Sequence, residues 1–135
     1  MADALLPRVE VRPFGVDPSE IALTIALNES LSGDSSDLAG AVPVGLWTPA
    51  AWTAAAITFL VSRDGGSNFA DLFDAVLGEV TIPSALIPTG AARRFALDPR
   101  LFVGVKRVKV RSGVSGTAVN QAAARTLYLV TRPIA

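Results

Sequence analysis

Carboxylates are the side chains of this sequence that could perform acid and base chemistry. The 135 residues include no His and no Cys, which removes thiol nucleophiles, disulfides, zinc sites of the Cys/His type and any Ser–His or Cys–His pair. Glycoside hydrolysis needs two carboxyls across a sugar, and Asp34 with Asp37, or Asp71 with Asp74, are the pairs available. Nothing in their spacing selects either pair. We therefore expect no catalytic residue, no cofactor and no enzymatic activity.

Three aspartates, Asp64, Asp71 and Asp74, lie in or near a predicted hairpin and are candidates for a calcium site. Calcium takes about six to eight oxygen ligands from a folded loop. The regular spacing of a helix-loop-helix calcium motif is absent. We expect Asp64 to serve the turn and the other two to solvate the returning strand, with no metal bound.

Two tryptophans, Trp47 and Trp52, flank Pro49. Such a pair can stack on a sugar or a base, or anchor a protein partner. Alternatively both rings fill the core, and residue statistics favour burial for each of them. Both remain candidates for ligand or partner contact.

A basic ladder, formed by Arg107, Lys109 and Arg111, alternates with valines in Lys106–Arg111, so its side chains share one face of a predicted strand. The favoured interpretation is a solvated outer face paired with acidic neighbours. The alternatives are a dedicated ligand site and a contact between subunits, in which the ladder meets Asp34 and Asp37 of the next copy.

The charge is divided between the two parts of the chain. Residues 1–92 carry three arginines against eleven acids, a net charge of −8, and residues 93–135 carry nine bases against one acid, a net charge of +8. Pairing across neighbouring strands of one fold is favoured over pairing between subunits. The acids argue against a large phosphate footprint, so we expect no nucleic-acid partner.

A hydrophobic period of two dominates the sequence and predicts strands. Strands, frequent turns and no amphipathic helix of ten residues predict an all-β, antiparallel β-sandwich of roughly eight strands, jelly-roll-like. The segment Ser30–Gly40 is expected to be a polar loop, and Val9–Arg12 a weak strand. The predicted core contains Ile21, Leu23, Ile25, Leu27, Ile57, Phe59, Val61, Val108, Val110, Leu127 and Leu129.

The length and charge pattern fit one domain, residues 1–135, in which 1–40 supply an N-terminal arm or attachment segment plus the first strand. The start of the sequence has no basic leader with a long apolar core, which predicts synthesis in the cytoplasm without a signal peptide. The uncharged run Leu38–Ser62 is long enough to cross a membrane, but Pro43, Gly45 and Pro49 interrupt it. We expect no membrane span.

Strand and turn patterns between Trp47 and Pro133 resemble those of a known family. The matching segments are Pro49–Ala55, Ile57–Phe59 with Ser62, Asp64-Gly65, Phe69, Leu72–Asp74, Val108–Gly113, Val119–Gln121, Arg125–Leu127 and Arg132-Pro133. In these the chain resembles small tailed-phage and prophage proteins that decorate virion heads, of which the head spike base of gene transfer agents is the nearest type. The additional Gly66, and Phe73 where the family usually has tyrosine, are departures, and the first 40 residues lie outside the match.

The resemblance implies a non-catalytic virion structural protein, made in the bacterial cytoplasm and located on the particle head as a spike base or decoration subunit. Its implied partners are the capsid protein, further copies of itself, five at a vertex or three at a local three-fold axis, and a fibre protein.

A second likeness supplies the alternative function. The hairpin Phe59–Phe69 and the strand Val105–Arg111 look like the galactose-binding type of jelly roll found in carbohydrate-binding modules. This implies adhesion to host surface polysaccharide, with a glycan as the partner.

Overall fold

The computed structural model describes residues 19–133, and the regular secondary structure of these residues is almost entirely antiparallel strand. The alternation of large apolar with small or polar residues is the cause, since successive side chains of a strand point to opposite faces. Two 3-10 turns, Ser84–Leu86 and Pro99–Phe102, lie in the connections. The strands are β1 (Ser19–Ile25), β2 (Ala41–Thr48), β3 (Ile57–Ser62), β4 (Ala70–Asp71), β5 (Phe73–Asp74), β6 (Gly78–Glu79), β7 (Arg93–Ala96), β8 (Arg107–Val114), β9 (Thr117–Ala118) and β10 (Arg125–Pro133).

The strands form two four-stranded sheets that share one core. Sheet 1 has the order β1, β10, β2, β7, and sheet 2 has the order β4, β3, β8, β9. A separate hairpin is made by β5 and β6. All of these pairings are antiparallel. The predicted all-β antiparallel sandwich is confirmed.

The segment between β1 and β2 takes a strand position beside β8 although it lacks regular strand geometry. Ser32 and Ser35 donate their backbone N–H groups to the carbonyls of Val110 and Val108, both at 2.9 Å. The hydroxyls of the same two serines accept the backbone N–H of Val110 and Val108, again at 2.9 Å. The segment predicted as a polar loop is therefore an irregular edge strand, because serine hydroxyls replace the backbone carbonyls of an ordinary ladder.

With this segment included, the chain visits the sheets in a jelly-roll order. Its successive strands are β1, the segment 30–38, β2, β3, β4, β7, β8 and β10, and they lie in sheets 1, 2, 1, 2, 2, 1, 2 and 1. The first and last of these pair over the whole length of β1, from Ser19 opposite Thr131 to Ile25 opposite Arg125. Eight strands in two interlocked Greek keys define the jelly roll.

The core lies between the sheets and is centred on aromatic and aliphatic side chains from both. Phe59 and Phe102 pack edge to face, with ring centroids 5.6 Å apart. Of the predicted core residues, Ile21 and Val61 are only partly buried and pack against the core. Leu27 was predicted wrongly: it is 57% exposed, because β1 ends at Ile25 and Leu27 lies in the turn that the N–H of Glu29 closes on the carbonyl of Ala26.

The predicted N-terminal arm is described in part. From Ser19 onward its residues belong to the sandwich, first as β1 and then as the edge strand 30–38. Residues 1–18, with the weak strand predicted over Val9–Arg12, lie outside the described residues, as do 134–135. Among residues 19–133, no helix is long and apolar enough to cross a membrane.

Candidate functional site

The outer face of sheet 1 carries a row of four residues that crosses all four strands. Ala22 of β1 lies opposite Tyr128 of β10, Tyr128 opposite Trp47 of β2, and Trp47 opposite Arg94 of β7. Trp47 is 40% and Tyr128 43% exposed. We call this set the aromatic row. It presents two adjacent rings and a guanidinium on a rigid sheet surface.

Strand alternation places Trp47 outside and its neighbours inside. Leu46 is fully buried and Thr48 is 3% exposed, so the residue between them must face outward. The Thr48 hydroxyl accepts the N–H of Arg93 at 3.2 Å, which joins β2 to the edge strand β7. The expectation that Trp47 fills the core is therefore wrong, because the alternation of β2 places Leu46 and Thr48 on the inner face and Trp47 on the outer face.

A shallow cleft of about 470 Å³ opens beside the two rings. Glu20, Thr48 and Thr126 are among the residues that line it. The Thr126 hydroxyl also lies 3.0 Å from that of Thr24 on β1. The aromatic row is thus bordered by a carboxylate and hydroxyls, groups that can hydrogen-bond to a partner.

Gly45 shapes the other border of the row. A Cβ built on Gly45 would lie 2.7 Å from Nη2 of Arg94. The guanidinium therefore lies over the glycine, and Arg94 is the cross-strand partner of Trp47. A side chain at position 45 would displace it.

The second tryptophan has a structural role. Trp52 is 2% exposed, and its indole Nε1 donates to the carbonyl of Ala55 at 3.1 Å. Its burial confirms the core interpretation for this residue. The two tryptophans therefore do not form one platform.

The basic ladder lies on the outer face of sheet 2, and two of its members, Lys109 and Arg111, are paired with acids of the same chain. Lys109 Nζ lies 3.3 Å from Oδ1 of Asp34 and 4.4 Å from the centroid of the Phe69 ring. Arg107 donates from Nη1 to the carbonyl of Ser35 at 3.4 Å, while its buried Nε has no hydrogen-bond partner among the described residues. These contacts match the interpretation of acidic and basic strands paired within one fold.

Arg111 is the centre of a network at the other end of the ladder. Its guanidinium contacts Asp71 Oδ1 at 2.7 Å and Glu79 Oε2 at 2.6 Å, and its Nε donates to Thr58 Oγ1 at 3.0 Å. Ser115 donates its hydroxyl to Asp71 at 2.8 Å and its backbone N–H to Glu79. The hydrogen bond from Ser115, followed by the contacts with Arg111, lowers the pKa of Asp71 below its usual value. The network joins β3, β4, β6 and β8.

The remaining candidate aspartates have separate local roles. Asp37 accepts the backbone N–H of Ala39 at 2.8 Å, on the exposed side of the edge strand. Asp64 accepts from the Asn68 amide at 2.8 Å and from the Ser62 hydroxyl at 2.8 Å, so it holds the hairpin turn as the sequence predicts. These bonds lower the pKa of Asp64 far below its usual value. In the described part of the chain, no three His, Cys, Asp or Glu residues are grouped to hold a metal ion.

Comparison with known proteins identifies no relative of this chain. No family model, no curated protein and no solved structure matches the chain. The site must therefore be interpreted from its own geometry.

Sequence reasoning missed three of the four members of the aromatic row, Ala22 and the two with functional side chains, Tyr128 and Arg94. The alternation of the last strand held the information: if Leu127 and Leu129 point inward, Tyr128 points outward. That Tyr128, Trp47 and Arg94 come together depends on the order β10, β2, β7. Strand order is set by contacts between distant parts of the chain, and no local pattern reports it.

Proposed function

We propose that the protein is a non-catalytic structural subunit of a virion head, attached to the capsid protein as a spike base or decoration subunit. The aromatic row supports the protein contact that this function requires, and the resemblance of Trp47–Pro133 to head-decoration proteins supports the location. The row places Trp47, Tyr128 and Arg94 side by side on an exposed sheet face. Trp, Tyr and Arg are the residue types most enriched at the energetic centres of protein interfaces.

The surroundings of the row suit a protein partner. Sheet 1 holds the row by hydrogen-bonded ladders on both sides of β2, so little conformational entropy is lost when a partner binds. Arg94, fixed over Gly45, offers planar hydrogen-bond donors to a carboxylate or carbonyl of the partner. Glu20 and Thr126 form a polar edge, the usual arrangement of an interface with an apolar centre and a polar rim.

The proposal also states where the protein is made, where it is located and which partners it binds. The chain is made in the bacterial cytoplasm and becomes part of the particle head, where it binds capsid protein and further copies of itself, five or three according to the symmetry of the site. A fibre protein is a further partner for a spike base. A charge fraction of 18%, below the roughly 25% of an average chain, is in keeping with a subunit that hides part of its surface.

The test is incorporation into particles. Producing cells are supplied with the wild-type chain, with Trp47→Ala plus Tyr128→Ala, or with Leu27→Ala as a matched change at an exposed apolar residue away from the row. Purified particles should contain the wild type and Leu27→Ala as stoichiometric components and lose the double variant at least about tenfold. If purified particles lack the wild-type chain, the proposed function is refuted. If the double variant is incorporated fully, the aromatic row is not the surface that contacts the capsid.

The alternative function is a carbohydrate-binding module that adheres to host surface polysaccharide. The exposed ring of Trp47 next to Tyr128 favours it, because adjacent aromatic faces can stack on sugar rings while Glu20 and Thr126 bind hydroxyls. A glycan array separates the two functions. Saturable sugar binding that disappears in Trp47→Ala and persists in Leu27→Ala would select the module.

A further inference from the structure

Sheet 1 has two outer edges, formed by β1 on one side and by β7 on the other. Strand directions alternate across the sheet because every pairing in it is antiparallel, so β1 and β7 run in opposite directions. Two copies placed side by side in the same orientation therefore bring β7 of one copy against β1 of the next in an antiparallel arrangement. The edge of a sheet is a template for the addition of a further strand.

The backbone of β7 directs half of its hydrogen-bonding groups away from the sheet. Leu97 donates its N–H to the carbonyl of Val44 at 3.0 Å, on the side of β2. Successive residues of a strand bond to opposite sides, so Arg94 and Ala96 direct their N–H and C=O groups to the outer edge. Within residues 19–133, neither residue has a bonding partner for these groups.

The outer edge of β1 has the matching phase. The carbonyl of Thr24 accepts the N–H of Gly33 at 3.4 Å, so the backbone groups of Thr24 point away from β10. By the same alternation, Ala22 and Glu20 also direct their backbone groups outward. The contact with Gly33 occupies the C-terminal end of this edge. Among the described residues, no strand pairs with the remainder of the edge, from Glu20 to Leu23.

The two edges fit each other in one register, which pairs the whole of β7 with Glu20–Leu23 of the next copy. Ala22 then lies opposite Arg94, and Glu20 lies opposite Ala96, so the outward backbone groups meet in hydrogen-bonded pairs. A shift by one residue would reverse the faces of the added strand. A shift by two would run past the start of β1 or into the contact with Gly33. In the remaining register the aromatic row continues from Arg94 directly into Ala22 of the next copy.

This register also covers apolar side chains that a single chain leaves incompletely buried. Ile21 of β1 and Phe95 of β7 pack against the core but are only partly buried. Both lie on the inner face of sheet 1, and the register places them opposite each other across the contact. Each side chain would shield the other from water, which favours association.

The outer faces of the two edges carry opposite charges. Glu20 lies on β1 and Arg94 on β7, and both are exposed. The guanidinium of Arg94 lies over Gly45, which is directly opposite Ala96. It is therefore level with Glu20 of the next copy, and the small side chain of Ala96 between them leaves room for the two charges to approach. This complementarity favours a second copy of the chain as the added strand.

We infer that β7 of one copy pairs with β1 of the next, so that sheet 1 is continuous across neighbouring copies. The inference rests on the proposed function, in which copies are neighbours on a particle, and it names the surfaces by which they meet. Such a head-to-tail contact closes into a ring when the rotation between copies permits it. The aromatic row stays exposed for the capsid protein.

The strength of this contact suits neighbours on a particle. Pairing involves the 4 residues of β7, whereas stable interfaces bury roughly 1,200 Å² or more. Attachment of both copies to the same particle supplies a high local concentration, which compensates for the small contact. In solution we therefore expect transient pairing, which a covalent crosslink can accumulate.

Chemical crosslinking tests the contact, because the sequence has no Cys and each introduced thiol is unique. Ala22→Cys and a tagged Ala96→Cys chain are purified separately, mixed in equal amounts and treated with a short bismaleimide. The two thiols occupy diagonal positions of the inferred ladder, roughly 7–8 Å apart. The control mixture replaces Ala96→Cys by Ala118→Cys, an exposed alanine on the edge strand β9 of sheet 2. The heterodimer should form at least about tenfold faster than in the control mixture, and equal rates would overturn the inference.

Reversal of the two charges tests whether a second copy is the added strand. Arg94→Glu in the Ala96→Cys chain places two carboxylates together and should slow the crosslinking at least about fivefold. Glu20→Arg in the Ala22→Cys chain should then restore the rate, because the opposite charges have been exchanged across the contact. No restoration would overturn the pairing of β7 with β1. Circular dichroism of each variant verifies the fold.

The crosslinking uses no particles, so its result is independent of the virion function. That function is measured by the incorporation of the wild-type chain into particles. Preferential crosslinking without incorporation supports the pairing of copies and refutes the virion function. Incorporation without preferential crosslinking refutes the pairing alone.

Discussion

Trp47 and Tyr128 are directly opposite each other on the neighbouring strands β2 and β10, and both rings lie on the outer face of sheet 1. Only five positions later, Trp52 is buried in the core. Two tryptophans in one short segment therefore have different environments, one on the surface and one in the core. Their different contributions to stability can be measured.

Replacing each tryptophan by alanine should give very different stabilities. Trp52→Ala removes a fully packed ring and an indole hydrogen bond, and should lower the free energy of unfolding by about 3–5 kcal/mol. Trp47→Ala loses only a half-exposed ring in a cross-strand pair and should cost roughly 1 kcal/mol or less. Urea denaturation followed by circular dichroism measures both. Equal losses would contradict the assignment of Trp47 to the surface.

Gln121 should be among the polar residues most important for stability. It is fully buried, and its amide accepts the N–H of Thr53 at 2.9 Å and donates to the Thr53 carbonyl at 3.0 Å and the Ser112 hydroxyl at 2.7 Å. Gln121→Ala leaves these groups unpaired and should cost about 2–4 kcal/mol. The exposed neighbour Asn120 is the control, and Asn120→Ala should change stability by less than about 0.5 kcal/mol. Similar unfolding midpoints for the two variants would contradict the network.

Gly113 should not tolerate a side chain. It has φ +99°, and a Cβ there would lie 2.5 Å from the carbonyl oxygen of Thr117 and 2.7 Å from the N of Val119. Gly113→Ala should therefore destabilise by roughly 3 kcal/mol or more, through backbone strain and a collision with β9. Gly116 has φ +80° and open space around it, so Gly116→Ala should cost only about 1–2 kcal/mol. Thermal unfolding of the two variants is the measurement. Both variants carry backbone strain and only Gly113→Ala adds the steric collision, so the difference between their stabilities reports the collision.

The network around Asp71 predicts a dependence of stability on pH. The folded-state pKa of Asp71 is lowered, chiefly by Ser115 and then by Arg111. A carboxyl with a lowered pKa contributes stability above its unfolded pKa of about 3.9, and that contribution is lost as the pH falls through the folded value. The wild type should therefore lose stability below about pH 4 more steeply than Asp71→Asn.

The measurement is urea unfolding at a series of pH values for both proteins. Asp64 and Asp98 also have lowered pKa values, from hydrogen bonds with Asn68 and with Arg100 respectively. Both proteins keep these two groups, so the difference between the two curves isolates Asp71. Parallel curves would show that Asp71 contributes nothing to the acid response.

The sheets were predictable wherever the chain alternates clearly. In β8, Val108 and Val110 point to the core and the basic ladder points outward, as the period of two requires. The hairpin between β3 and β4 follows from the turn Arg63–Gly66. Both features depend on residues close together in sequence, and local patterns report them well.

The rest required distant contacts. Ser32 and Ser35 have the composition of a loop, and only the nearby edge of β8 gives their hydroxyls backbone partners. Arg111 binds Asp71, which is 40 residues away in sequence, and Glu79, which is 32 residues away. Opposite charges in the two parts of the chain indicated that such pairs exist, but the identity of each pair depends on strand order and register.

The contrast between the two tryptophans gives the protein two built-in fluorescent probes. Trp52, enclosed in the core, should emit at short wavelength and resist quenching by acrylamide, while Trp47, 40% exposed, should emit at longer wavelength and be quenched readily. A partner that covers the outer face of sheet 1 would protect Trp47 alone, and unfolding would expose Trp52 as well. Binding of a partner to sheet 1 and unfolding can thus be distinguished by the tryptophan emission of the unlabelled protein.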